Sequence, residues 1–167
     1  PSFKSRDAYV LDMISTYLSG GKSSVLYKKL VDEQKQALAV QAVNISQEDY
    51  GIYALFALPL GNVSLETLVS EMDEEVEMLK KELISEKDYQ KLQNIAENNF
   101  VSSNSSISGV ANSLARYYML YGNTNLINTE IDIIRSITRE DIKAVANKYL
   151  NPNQRLILEY LPKKYFK

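Results

Sequence analysis

Two hydrophobic periods alternate along this chain, and the places where one gives way to the other divide it into elements. Val10, Leu11, Ile14, Tyr17 and Leu18 recur at helical intervals from about Arg6, and Ser19-Gly20-Gly21 ends that run. Val25, Leu26 and Leu30 carry a second helix with lysines on its other side. From Ala37 the period shortens. Ala37–Ile45 and Gly51–Leu60 are apolar and rich in β-branched or aromatic residues, and the polar Ser46-Gln47-Glu48-Asp49 lies between them, so the pair predicts an antiparallel hairpin. In its second strand Ile52, Ala54, Phe56 and Leu58 point one way, and Tyr53, Leu55 and Ala57 the other. A sheet wetted on one face shows polar residues there. Both faces here are apolar, so this strand is expected to be buried on both sides or to line a cavity with one of them.

From Ser64 onward the spacing is helical until a last strand. Leu65, Leu68, Val69, Met72, Val76, Leu79 and Leu83 form one stripe, with Ser64 placed as its N-cap. Glu71, Asp73, Glu74, Glu75 and Glu77 crowd the rest of that helix and read as a solvated face. Ser85 precedes Asp88 by three residues, a variant of the capping box, and a long helix follows through Leu92, Ile95 and Phe100. Ser102–Gly109 interrupts it, and a helix through Ala111, Leu114, Ala115 and Tyr118 ends at Gly122. Thr138 and Asp141 form a further capping box, with Ile137 and Ile142 spaced as a hydrophobic staple. Asn151-Pro152-Asn153 stops that helix, and Leu156–Leu161 reads as a closing strand. Helices bracketing a small antiparallel sheet make residues 1–167 a single α+β domain. Three strands are few for so many helices, so one or more N-terminal strands are expected to be missing.

Composition narrows the chemistry sharply. The 167 residues contain no histidine and no cysteine. A conventional zinc site, a Ser-His-Asp triad and a Cys-His centre therefore cannot be built from this chain alone. The net charge of −2 offers no electrostatic footprint for nucleic acid or an anionic membrane. No apolar run approaches the roughly 20 residues of a membrane span. The chain starts at Pro1 without an initiator methionine and reads as a fragment of a larger multi-domain protein.

Three apparent motifs carry little. Gly21-Lys22-Ser23 looks like the end of a P-loop, but the pattern needs glycine where Thr16 stands, and the segment follows a helix rather than a strand. Asn44-Ile45-Ser46, Asn62-Val63-Ser64 and Asn104-Ser105-Ser106 fit a glycosylation sequon that arises often by chance. The twelve tyrosines lack the interleaved basic residues of a single-strand-binding surface and fall mostly on helix and strand stripes.

The order of longer phrases is more specific. Tyr17 to Glu33, Tyr17-Leu18-Ser19-Gly20-Gly21-Lys22-Ser23-Ser24-Val25-Leu26-Tyr27-Lys28-Lys29-Leu30-Val31-Asp32-Glu33, resembles the second domain of a half-molecule in the pitrilysin/insulinase/mitochondrial-processing-peptidase family. Tyr50-Gly51-Ile52-Tyr53 is similar to that domain's second hairpin strand, and Ser136 to Pro152 to its closing helix. The resemblance implies a two-layer fold of the processing-peptidase type, an antiparallel sheet covered by helices. It also implies a zinc peptidase built from repeated α+β domains, whose two halves close around an unfolded peptide. Zinc would sit in another domain of the parent, with none in this one. The partners implied are the other domains or subunit of the same peptidase and unfolded peptide substrate, with no nucleic acid and no membrane span. A bacterial periplasmic or envelope location is implied by the family alone.

One departure bears on mechanism. Active members carry a pattern like Leu-Arg-Glu-Lys-x-Gly-Leu-Ala-Tyr in the second domain of the complementary half, where the Arg and Tyr are thought to bind substrate and stabilise the developing oxyanion. Matched from Leu30, those substrate-binding positions fall on Val31 and Leu38, neither of which donates a side-chain hydrogen bond. The resemblance thus implies a non-catalytic domain with no catalytic residues, supporting the catalytic domain and lining a peptide chamber. The alternative is an inactive scaffold subunit of the same family. A third reading, an unrelated helical binding module, predicts no hairpin.

Overall fold

A computed structural model of the chain describes residues 1–161. Helix α1 (Arg6–Ser19) begins where the Ser5 hydroxyl accepts from the Asp7 amide at 3.2 Å, and it buries Val10, Leu11, Ile14 and Leu18 as the spacing predicts. The lysine-flanked second helix is wound as a π-helix over Tyr27–Glu33, with Leu30 fully buried. Strands β1 (Ala37–Ser46) and β2 (Gly51–Pro59) form the expected antiparallel hairpin, with Ser46 opposite Gly51 and Ala37 opposite Pro59. Gly51 is required there, because a Cβ would meet the Ile45 carbonyl oxygen at 2.4 Å.

The helices that follow start where their caps place them. The Ser64 hydroxyl accepts from the Thr67 amide and opens α2 (Leu65–Lys81), whose Leu68, Met72, Val76 and Leu79 are buried. The helix stops before Leu83, which is exposed, and Ile84 in the following turn takes the buried place. Helix α3 (Glu86–Ser103) has half of its expected box: Ser85 accepts from the Asp88 amide, while the Asp88 carboxylate takes the Ser85 hydroxyl at 2.6 Å instead of a backbone N–H. Helix α4 (Ile107–Tyr121) is capped by Ser106 and ends at Gly122, whose φ of 65° is the left-handed turn glycine favours. Helix α5 (Leu126–Arg135) has no side-chain cap and is not among the elements expected above, although Ile127, Ile131 and Ile134 recur at helical spacing. Helix α6 (Arg139–Tyr149) has both halves of the Thr138–Asp141 box.

The helices cover one face of the hairpin. α1 and the π-helical segment pack on β1, α2 touches β2, and α6 packs against both α1 and α2. Val40, Ala42, Tyr53, Leu55 and Ala57 join this core from the inner face of the sheet. α3 continues the helical layer beside α1 and packs against α4 and α5.

Two expectations need correction. Strand β2 is not buried on both sides, because the sheet has two strands and no second layer of described residues lies on its outer face. Leu156–Leu161 is not a strand here. After a short turn of 3-10 helix at Pro152–Gln154, residues 155–161 pair with no strand among the described residues and remain exposed.

Candidate functional site

The outer face of the hairpin is an exposed, uncharged surface. The register sets Ala39 beside Leu58, Gln41 beside Phe56, Val43 beside Ala54 and Ile45 beside Ile52. None of these eight side chains is charged. Ile52 is 69% exposed, Leu58 56%, Phe56 55% and Ile45 46%. A strand face this apolar is ordinarily covered, and its geometry suits contact with an extended apolar chain rather than chemistry.

The two positions singled out from the family pattern take opposite roles. Val31 sits in the π-helical segment and packs partly buried against the core, whereas Leu38 lies in β1 at 56% exposure. A register irregularity between Ala37 and Ala39 leaves Leu38 without a paired position in β2. The π-helical segment and β1 pack against each other, so the two positions belong to neighbouring elements, and Leu38 is the exposed one of the two. The turn joining them contains Lys35, with φ at 50°, where the family pattern has glycine.

The acidic face of α2 is paired. Glu71, Glu74 and Glu75 converge on the Lys29 ammonium at 2.9, 2.9 and 3.0 Å. Burial works against that charge, but the three carboxylates more than offset it and hold Lys29 above the usual lysine range. The hydrogen bond from Lys29 in turn holds Glu71 below the usual carboxylate range. Asp73 pairs with Arg155 and Glu77 with Lys80. A cationic ligand is not needed to explain this face, because the Lys29 ammonium occupies the point where its carboxylates meet. Among the described residues no three His, Cys, Asp or Glu side chains are arranged to hold a metal ion.

A second polar cluster, not foreseen from the sequence, is structural in form. Glu130 of α5 is 6% exposed and receives a hydrogen bond on each carboxylate oxygen, from Tyr9 of α1 at 2.6 Å and from Tyr117 of α4. Burial, reinforced by Glu130, pushes the Tyr117 phenol up to about 12 and the Tyr9 phenol higher still. Both tyrosines therefore stay protonated as donors at neutral pH. A cavity of about 260 Å³ adjoins the cluster, between α1, α3, α4 and α5. A buried glutamate flanked by helical tyrosines at long sequence separation leaves no local motif, so only the packing reveals it.

Residues 1–96 match the family model described as the Peptidase M16 inactive domain. The chain belongs to the M16 peptidase family. It is 32% identical over 157 residues to the zinc protease PqqE of Helicobacter pylori, an alignment covering 92% of this chain and 34% of that protein. A crystal structure of a protease from Helicobacter pylori superposes with a TM-score of 0.83 at 28% identity, over 92% of this chain and 37% of that one. The inactive peptidase domain of a protein from Bordetella parapertussis superposes at 0.85 and 21% identity, over 98% and 88%. The periplasmic protease PqqL of Escherichia coli shares the fold at 0.70 and 18% identity, over 90% and 16%. This M16 chain thus spans about a third of the length of the curated relative it matches. Its helix-rich α+β fold with a two-stranded antiparallel sheet is that of the family's inactive domain. No described helix is long and apolar enough to cross a membrane.

Proposed function

We propose that this M16 chain is the non-catalytic domain of a zinc metallopeptidase, and that it lines the chamber in which an unfolded peptide is held. The observation that carries the reading is the hairpin's outer face, with eight cross-strand positions and no charge among them. Such a surface can contact many peptide sequences, because apolar contact is non-directional and does not demand a particular polar partner. The zinc belongs to another domain of the parent, since this chain supplies neither histidine nor cysteine. The other domains or subunit of the same peptidase would cover the rest of its surface. A bacterial envelope location goes with this reading, supported by the periplasmic relative that shares the fold.

The test is amide hydrogen exchange across residues 37–60 in the assembled parent, with and without reduced, carboxymethylated lactalbumin as the unfolded substrate. Slower exchange in the hairpin on adding substrate is expected, together with about one zinc per parent and chelator-sensitive cleavage. Exchange that does not respond while cleavage proceeds would remove the chamber-wall role.

One feature favours a second reading, an inactive scaffold subunit. Val31 and Leu38 stand where active members have Arg and Tyr, so this domain cannot supply the oxyanion donors of that pattern. A parent complex without zinc would decide for the scaffold.

A further inference from the structure

The cavity of about 260 Å³ between α1, α3, α4 and α5 is lined by three charged side chains, Asp12, Arg116 and Glu130. Glu130 is the buried one, whereas Asp12 and Arg116 are exposed. Among the described residues none of the three takes part in an ion pair. Each Glu130 oxygen accepts one tyrosine hydroxyl, which leaves each with a further acceptor position. The Arg116 guanidinium stands 5.2 Å from the centre of the Tyr117 ring, the same tyrosine whose hydroxyl reaches Glu130. Asp12 accepts one side-chain hydrogen bond, from the Asn44 amide at 2.9 Å. Met13, Leu92, Ile95 and Phe100 give the same cavity an apolar wall.

Elsewhere the protein pairs such groups directly, as Lys29 does with three carboxylates. Here two anions and one cation share a cavity at separations too long for direct pairing, and a ligand carrying both signs satisfies all three. A lone cation meets repulsion from Arg116, and a lone anion meets it from Asp12 and Glu130. Water suits the charged side chains but not the wall, which gains from an apolar group laid against it. The volume falls below the roughly 300–1,000 Å³ of pockets for drug-sized ligands, so the occupant is a single small molecule.

We propose that this cavity binds a free α-amino acid with an apolar side chain. Its ammonium meets the open acceptor positions of Glu130 and Asp12, its carboxylate meets Arg116, and its side chain lies on Leu92, Ile95 and Phe100. Tyr9 and Tyr117 are positioning residues, because their two hydroxyls fix the Glu130 carboxylate. No residue of the hairpin's outer face lines the cavity. The proposal therefore rests neither on the peptide chamber nor on zinc in the parent.

Calorimetric titration of the full-length protein with L-leucine tests it, beside three analogues that each lack one part. Isoamylamine lacks the carboxylate, 4-methylpentanoate the ammonium and glycine the apolar side chain. L-Leucine should bind saturably with a Kd below about 10 mM, and each analogue at least roughly tenfold more weakly. Arg116→Gln alters an exposed side chain of α4, so the Tm should not move. That variant should weaken L-leucine by about tenfold or more while leaving the response to isoamylamine unchanged. A smaller loss in Arg116→Gln would put the binding at another site and overturn the proposal. The absence of saturable L-leucine binding in that range, or an analogue binding as tightly as L-leucine, would overturn it too.

Discussion

Lys35 holds a left-handed backbone that L-residues adopt at a cost of roughly 1–2 kcal/mol. It sits in the turn between the π-helical segment and β1, so the strain is stored beside the positions where the family pattern has its Arg and Tyr. Replacing it by glycine, Lys35→Gly, should raise stability by about 1 kcal/mol, read as a higher urea midpoint at unchanged m. Asp141 is one of the carboxylates that make the same fold sensitive to acid. A hydrogen bond from Arg6 at 2.7 Å, opposed by partial burial and aided by the Thr138 cap, holds its carboxyl down to about 2. A carboxylate depressed in the folded state stabilises above its unfolded pKa and loses that contribution as pH falls through the folded value. The urea midpoint should therefore drop between about pH 4 and pH 2, and Asp141→Asn should flatten part of that drop while lowering the neutral-pH midpoint. At Glu130, Tyr117→Phe removes one of two donors to a buried carboxylate and should cost about 1–3 kcal/mol.

Among the elements, the hairpin is the one whose two faces divide stability from function. Its inner face closes the core through Ala42, Leu55 and Tyr53, whereas its outer face touches no other described element. Lysines on the outer face, Ile52→Lys with Phe56→Lys, should therefore leave the folding free energy within about 0.5 kcal/mol per site while abolishing substrate protection of the hairpin. Leu55→Lys places an unpaired charge in the core and should prevent cooperative folding, seen as loss of the sigmoidal urea transition. Most elements were legible in advance because their signals are local. Ser64, Ser85 and Thr138 each accept a hydrogen bond from an amide of the first helical turn, a contact made within three residues and indifferent to the rest of the fold. Helix α5 has helical spacing in Ile127, Ile131 and Ile134, but no start signal sets it apart from its neighbours. It has no capping side chain, and its place depends on α3 and on the Tyr9 and Tyr117 hydroxyls reaching Glu130 across 121 and 13 residues.

Across the whole molecule, the sequence by itself determined the α+β class, the hairpin and its turn, the starts of α1, α2, α3 and α6, the absence of zinc-ligating histidine and cysteine, and the likeness to the M16 inactive domain. Those properties follow from side-chain chemistry and from periods of two and 3.6, which a chain carries wherever it is placed. What only the tertiary structure decided is which apolar surfaces are buried. Period-two alternation shows that β2 has two apolar faces, but not that the helices pack on just one of them. The chemistry of Leu156–Leu161 is that of a strand, while strandhood also requires a neighbour about 4.8 Å away, and nothing within seven residues specifies one. The acidic run on α2 likewise reads as solvated until Lys29, more than forty positions away, is brought against it. Burial, strand pairing and charge compensation are relations between distant segments, so their outcome is settled by packing and not by local sequence.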